Sequence, residues 1–326
     1  MNYKKILQYL LAAVVITAMV YFFYDQFKRN WDSIQSFHIV LNPYYLSLSF
    51  FLIFIAFLID TYIWKICVNH YLKEKVNFPE SLAFLNTSNL FKYIPGRILA
   101  YTVQIALMSR KNIAKSLILY VNFVTLLCVI IISTMYGLLY LLFYLKILSM
   151  LISILIFASL FIADVVFIVF NTNIINWLII GVNRFFRMEI QPIKMSKRLL
   201  IYIQFIYVMA YIPVGIGIIM LARGIGINIS FSDSLAVIAS MAVSWTTGYL
   251  AIFTPGGLGV REGIMFLMLK QFSNVQCALI IPIASRLLYT IIEAGLGGIG
   301  LLIGIKYKIF SMAAFQGKKK DNEKVP

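Results

Sequence analysis

The stretch "FTPGGLGVREG", residues 253–263, separates two apolar segments with a proline, closely spaced glycines and the adjacent charges Arg261 and Glu262. Proline cannot donate the helical hydrogen bond, and glycine favours turns over helix. The stretch therefore predicts a break between two short helices. Because irregular backbone at membrane depth is tolerated only where protein or a water-filled cavity surrounds it, we expect this break to face a cavity.

The rest of the chain is apolar enough to place this break inside a membrane. Of the 326 residues, 62% are hydrophobic and 12% are charged, whereas soluble domains carry about 25% charged residues. Helix-length apolar runs, without the every-second-residue alternation of barrel strands, occur at Ile6–Tyr24, Tyr44–Ile63, Leu117–Tyr144, Ile147–Phe170, Leu199–Leu221, Leu235–Phe253 and Ala278–Ile305. We predict an all-α polytopic membrane protein with about seven or eight membrane segments, two of them interrupted.

The second interruption lies in residues 79–111, where polar side chains surround Pro95 and Gly96. The order of residues in "YIPGR" at 93–97 is similar to that in "FTPGG" at 253–257, and the two prolines are 160 positions apart (255 − 95). Paired interrupted helices in the two halves of a chain are typical of transporters built from inverted repeats. Coincidence explains this pattern equally well, so an inverted repeat and a chance match both stay open.

Charged residues inside a bilayer are costly, so they usually form pairs or line a pathway. The candidates are Lys92, Arg97, Arg261, Glu262, Arg286 and Glu293. Arg286 and Glu293 are seven positions apart, hence on one helix face but about 10 Å apart along the axis. We predict a crossed arrangement in which Arg261 pairs with Glu293 and Glu262 pairs with Arg286. The alternative is that Arg261 and Glu262 lie at headgroup level and snorkel.

Two further acidic residues fall in apolar runs. Asp60 is near the end of a predicted span, beside Trp64 and Lys65, which favours an interfacial anchor over a functional site. Asp164 is deeper in its run, where a structural hydrogen bond to a neighbouring helix and a functional role both stay open.

The formal net charge of +16 comes mostly from Lys and Arg in short loops and tails. In a membrane protein this placement indicates topology, so we expect no nucleic-acid partner and place both termini in the cytoplasm. We predict one transmembrane domain, residues 1–315, and a disordered basic cytoplasmic tail, residues 316–326. The oligomeric state is left open.

The sequence contains no P-loop, no HExxH and no cluster with metal-ligand spacing. We therefore expect no catalytic residues, no metal, no cofactor and no enzymatic activity. Helix ends at the two breaks would present backbone N–H groups, and the basic residues would add charge. This combination suits a phosphate-bearing lipid headgroup.

The segments "LNTSNLFKYIPGRILAY" and "TPGGLGVREG" resemble the lysylphosphatidylglycerol synthetase transmembrane-region family, flippase-like membrane proteins of bacteria and archaea. In the two-part members, the multiple peptide resistance factors, this region is the flippase half, followed by a cytoplasmic domain that aminoacylates phosphatidylglycerol. That second domain is missing from this sequence. The resemblance implies translocation of a phospholipid, an aminoacylated phospholipid or a polyprenyl-phosphate-linked sugar across the cell membrane, and gives no support for aminoacyl transfer by this chain.

Stand-alone members of this family look like partners of glycosyltransferases or lipid-modifying enzymes. The alternative function is therefore a non-transporting membrane subunit that scaffolds such an enzyme; a lipid-active transferase is a third. The motif positions that the resemblance carries to this chain are Lys92, Pro95, Gly96, Arg97, Tyr101, Pro255, Gly256, Gly257, Gly259, Arg261 and Glu262. Together with Arg286 and Glu293, they are the candidate substrate-binding residues.

Overall fold

The structure is a computed structural model that describes residues 40–93, 98–111, 113–140, 150–186, 194–230, 233–251 and 254–307, with isolated positions between 17 and 28. Several predicted features lie outside the described residues. These are most of the first span Ile6–Tyr24, the motif residues Pro95, Gly96 and Arg97, and the C-terminal tail with its boundary at 315.

Within the described residues all regular structure is helical and no strand occurs, which confirms the predicted all-α class. In chain order the helices are α1 (Pro43–Tyr71), α2 (Phe78–Asn89), α3 (Ile98–Met108), α4 (Lys115–Leu139), α5 (Met150–Val169), α6 (Asn171–Phe186), α7 (Lys197–Gly224), α8 (Ser234–Leu250), α9 (Val260–Leu269) and α10 (Val275–Lys306). Short 3-10 turns occupy Leu90–Tyr93, Ser109–Lys111 and Pro255–Gly257.

Four of these helices, α1, α4, α7 and α10, are long and apolar enough to cross a membrane. Helices α5 and α6, whose axes bend by 87° where they join, are together long and apolar enough for a broken span or a re-entrant loop, so the described helices give four spans or up to five. The chain is therefore a multi-pass membrane protein. The count of seven or eight membrane segments stays a prediction, because α2, α3, α8 and α9 are short helices and the first span lies outside the described residues.

Both predicted interruptions separate two helices, as expected. Helices α2 and α3 flank the first break, and α8 and α9 flank the second. In the second break, Gly256, Gly257 and Gly259 all have positive φ angles, of 59°, 75° and 81°. Side chains with a Cβ rarely adopt this backbone region, so the glycines allow the turn to form. The inverted-repeat relation between the breaks stays a prediction.

The start of α2 is fixed by a reciprocal cap. The side chain of Asn77 accepts a hydrogen bond of 2.8 Å from the Glu80 N–H, and the Glu80 carboxylate accepts one of 3.0 Å from the Asn77 N–H. These bonds satisfy two backbone donors that have no partner within the helix. Lys111, which follows α3, pairs with the same carboxylate, so both ends of the first interrupted segment are held together.

Glycines bring α10 close to α2. A Cβ added at Gly300 would lie 3.1 Å from the Leu82 carbonyl oxygen and 3.3 Å from the Ala83 Cα, whereas one added at Gly298 would meet nothing within 4 Å. Small residues at helix interfaces in membranes allow this kind of backbone approach. The close contact places α2, and the break that follows it, directly against α10.

Gly300→Ala should destabilise the protein by about 1–3 kcal/mol, because the added methyl group would force α10 away from the α2 backbone. Gly298→Ala is the matched control on the same helix and should be neutral or slightly stabilising, since alanine has the higher helix propensity. Thermal denaturation of the two variants in detergent measures the difference. Equal melting temperatures would contradict this packing.

Candidate functional site

The two breaks meet in space, with α10 beside them. Gly256 in the second break packs against Tyr93 in the first, so that an added Cβ at Gly256 would lie 3.2 Å from two ring carbons of Tyr93. Arg286 of α10 completes the contact: its Nη2 donates a 3.2 Å hydrogen bond to the Gly256 carbonyl oxygen. The Arg286 guanidinium also lies 5.6 Å from the centre of the Tyr93 ring. A side chain at position 256 would disturb all of these contacts.

A buried ion pair ties the first break to α10. The Nζ atom of Lys92 donates to Oε1 of Glu293 over 2.6 Å, and the Tyr93 hydroxyl donates to Oε2 of the same carboxylate. Lys92 and Glu293 are each 8% exposed, so each charge depends on the other for compensation. The prediction that Glu293 pairs with Arg261 is wrong, because Lys92 and Tyr93 bind both carboxylate oxygens.

The second predicted pair is confirmed. Glu262 Oε1 lies 3.5 Å from Arg286 Nε, and its Oε2 accepts a 2.7 Å hydrogen bond from the Gly259 N–H. A carboxylate in the first turn of a helix is stabilised by the unpaired N–H groups there. Glu262 therefore both starts α9 after the break and attaches it to α10.

Arg261 lies among aromatic rings. Its guanidinium carbon is 4.9 Å from the centre of the Tyr249 ring and 5.6 Å from that of Trp245, which is cation–π geometry. Gly248 makes room for this side chain, since a Cβ there would lie 2.2 Å from the Arg261 Cγ. The Nε and Nη2 atoms of Arg261 are buried and have no hydrogen-bond partner among the described residues. Arg261 thus keeps hydrogen-bonding capacity that the surrounding protein does not use.

The snorkelling alternative for Arg261 and Glu262 is wrong, whereas their depth in the membrane stays a prediction. Arg261 is 5% exposed and Glu262 is 7% exposed, so neither side chain extends out of the protein. Their charges are enclosed by α8, α9 and α10. A charge enclosed in this way needs a partner, because burial without one is costly.

A cavity of about 160 Å³ lies inside the bundle, beside the first break. Helices α1, α2, α3, α4, α7 and α8 all contribute to its wall. Its polar lining includes Asp60, Lys92 and Asn122, and its aromatic lining includes Tyr101 and Trp245. Tyr101, which the family resemblance selected, therefore faces the same space as Lys92. Trp245 has a second role, because it also contacts the Arg261 guanidinium.

The two isolated acidic residues have different environments. Asp60 was expected at the end of a span, but α1 continues to Tyr71, so Asp60 lies within the helix and lines the cavity. Asp60 therefore lies on the cavity wall and not at a helix end, where the interfacial-anchor interpretation placed it. Asp164 of α5 accepts a 2.9 Å hydrogen bond from Gln204 of α7, which is the structural role considered for it.

The structure brings most of the candidate residues together. Around the junction of the breaks lie Lys92, Pro255, Gly256, Gly257, Gly259, Arg261, Glu262, Arg286 and Glu293. The sequence-based prediction of the site did not include Tyr93, Trp245 or Tyr249, which contact its charged residues. A signal for the last two was available: Trp245, Gly248 and Tyr249 have the i, i+3, i+4 spacing that places residues on one helix face.

A comparison with protein families adds an independent observation. Residues 9–297 match the model of the lysylphosphatidylglycerol synthase transmembrane region. The chain belongs to this family. The matched range includes both breaks and every charged residue of the site described above. Membership of this family points to a lipid-related process in a membrane. The sequence comparison with curated proteins gave no match.

Removing one charge of the Lys92–Glu293 pair should destabilise the protein more than removing both. Lys92→Met or Glu293→Gln alone leaves a buried charge without its partner, which costs about 3–5 kcal/mol. The double variant should recover most of that loss, and a double-mutant cycle on unfolding free energies measures the coupling. Additive losses in the double variant would contradict the ion pair.

Proposed function

We propose that this protein moves a phosphate-bearing lipid between the leaflets of the cell membrane, with the headgroup passing through the cavity. The observation that carries the proposal is the buried cation on the cavity wall, with a second buried cation behind that wall. Lys92 lines it directly, and Arg261 lies behind the Trp245 and Tyr249 side chains that form part of its wall. Membership of a family of lipid-related membrane regions supports the same proposal.

A phosphate group matches the donors that these residues offer. The Lys92 ammonium has three N–H donors, of which Glu293 accepts one. Arg261 has buried N–H groups without a protein partner. Charge-assisted hydrogen bonds to phosphate are among the stronger polar contacts in proteins. The lipid tails would stay in the surrounding bilayer while the headgroup crosses in the polar interior.

The carboxylates would keep headgroup binding reversible. A phosphate that binds Lys92 competes with Glu293 for the same ammonium group. The free energy of phosphate binding is then the difference between the new phosphate–Lys92 contact and the Glu293–Lys92 contact that it replaces. This difference is smaller than the free energy of either contact alone. Transport requires this property, because a site that binds its cargo too tightly does not release it.

The remaining parts of the proposal concern the energy source and the partners. The sequence has no P-loop, so we propose a translocator without ATPase or other enzymatic activity. Its termini would lie in the cytoplasm. A glycosyltransferase or a lipid-modifying enzyme would consume or supply the cargo on one side of the membrane.

Leaflet exchange in proteoliposomes tests the proposed function. Purified protein should accelerate exchange of at least one of three labelled lipids: phosphatidylglycerol, phosphatidylethanolamine or a polyprenyl phosphate. The double variant Lys92→Met/Glu293→Gln keeps the charge balance but loses the cavity cation. Its rate should fall by about tenfold or more, because a hydrogen bond to a charged group contributes about 1.5–3 kcal/mol.

Matched variants separate the site from general effects. Lys197→Met removes an exposed lysine at the start of α7, outside the cavity lining, and exchange should continue at the wild-type rate. Arg261→Ala and Glu262→Gln should slow exchange. If no lipid exchanges, or if the double variant is as fast as wild type, translocation through this site is wrong and the scaffold function becomes the better account.

A further inference from the structure

Asp60 is a half-buried acidic residue in the interior of α1, on the wall of the cavity. It lies seventeen residues after the start of α1 and eleven before its end (60 − 43 and 71 − 60). At 1.5 Å per residue these distances are about 26 Å and about 16 Å along the helix axis. Its side chain lines the cavity together with Lys92. Asp60 is therefore accessible from the same space that would receive the headgroup.

Asp60 differs from the other carboxylates of the site because it has no cation within ion-pair distance among the described residues. Glu293 is paired with Lys92 and Glu262 with Arg286. Within the described residues, Asp60 forms no ion pair, and its one hydrogen bond comes from the Tyr207 hydroxyl at 3.3 Å. An ionised carboxylate at this depth without a cation is costly.

The groups that face Asp60 come from several packed elements. They are Lys92 in the 3-10 turn after α2, Tyr207 and Tyr211 on α7, Glu293 on α10 and Cys67 on α1 itself, with Tyr101 on α3, Asn122 on α4 and Tyr249 on α8 around the same cavity. The one cation among these groups, Lys92, is already paired with Glu293.

We propose that Asp60 binds a proton and couples the proton gradient to movement of the headgroup. The inference rests on the proposed function. A proton needs one carboxylate oxygen, whereas a metal cation needs several oxygen ligands. Among the described residues, Tyr207 alone donates to Asp60, and no group of three His, Cys, Asp or Glu residues is placed to hold a metal ion.

Coupling follows from the charge balance of the cavity. With Asp60 ionised, a phosphate entering beside Lys92 meets a second negative charge in the same low-dielectric space. Protonation of Asp60 removes that repulsion, so proton and phosphate each favour the binding of the other. The loaded site then carries one proton with one anionic headgroup. The proton leaves Asp60 when the cavity opens to the less acidic side and the headgroup is released there.

The test uses the final distribution of a lipid between leaflets, which an uncoupled translocator cannot change. Vesicles of phosphatidylcholine with a trace of acyl-labelled phosphatidylglycerol would carry the full-length protein and an imposed gradient of about one pH unit, with the membrane potential clamped. One proton per lipid across that gradient permits up to about tenfold accumulation in the leaflet on the alkaline side. Wild-type protein should produce such an asymmetry, and Asp60→Asn should give an equal distribution.

Further variants test whether accumulation of the lipid depends on the acid at position 60. Asp60→Glu keeps the acid and should keep the accumulation. Asp164→Asn removes a carboxylate that lies outside the cavity lining and should also keep it. If wild-type protein exchanges the label but reaches an equal distribution, coupling is wrong while translocation stands, and this holds whether or not the Asp60→Asn variant folds. If a folded Asp60→Asn variant still accumulates lipid, the assignment to Asp60 is wrong. Absence of protein-dependent exchange would overturn both this inference and the proposed function for this probe.

Discussion

Two helical segments of this protein stop inside its apolar bundle, and the polar groups released there must find partners within the protein because lipid offers none. The 3-10 turn after α2 brings Lys92 and Tyr93 to the carboxylate of Glu293. The turn before α9 uses Glu262 for its first N–H group and leaves a carbonyl oxygen, at Gly256, for Arg286. Because Glu293 and Arg286 both belong to α10, one helix holds both breaks in place. The site is thus a consequence of how the interrupted backbone is satisfied.

The positive and negative charges of this site nearly balance, and this balance limits how tightly a ligand can bind. Each cation already has a carboxylate or an aromatic partner. A ligand that enters must therefore exchange contacts with existing partners, and net binding is weak even where single contacts are strong. Weak net binding with specific donors suits a carrier better than a storage site or a static lipid anchor. Asp60 is the exception, because it forms no ion pair among the described residues, and its position on the cavity wall is the reason for assigning the proposed proton to it.

The sequence was sufficient for the fold class, the two breaks and the Glu262–Arg286 pair, because composition, proline and glycine positions, and helical spacing act locally. It was insufficient for Lys92–Glu293, whose partners are 201 positions apart and meet only because glycines let α10 approach α2. Arg261 was predicted to pair with Glu293 because only residues of opposite charge were considered as partners. The aromatic partners of Arg261 carry no charge, so this reasoning could not identify them. Asp60 was misplaced because α1 extends eight residues beyond the predicted end at Ile63 (71 − 63).

The proposed function depends on a polar, water-accessible cavity beside the first break. Cysteine labelling with a charged, membrane-impermeant thiol reagent tests it most directly, since Cys67, Cys128 and Cys277 are buried and should give little background. Thr125→Cys places a thiol on the cavity wall, and Val165→Cys places one on the exposed apolar face of α5. The account predicts that the cysteine at 125 reacts while the one at 165 does not, and that soluble glycerol phosphate slows the reaction at 125. Equal lack of reaction at both positions in the folded protein would contradict the cavity and the function built on it.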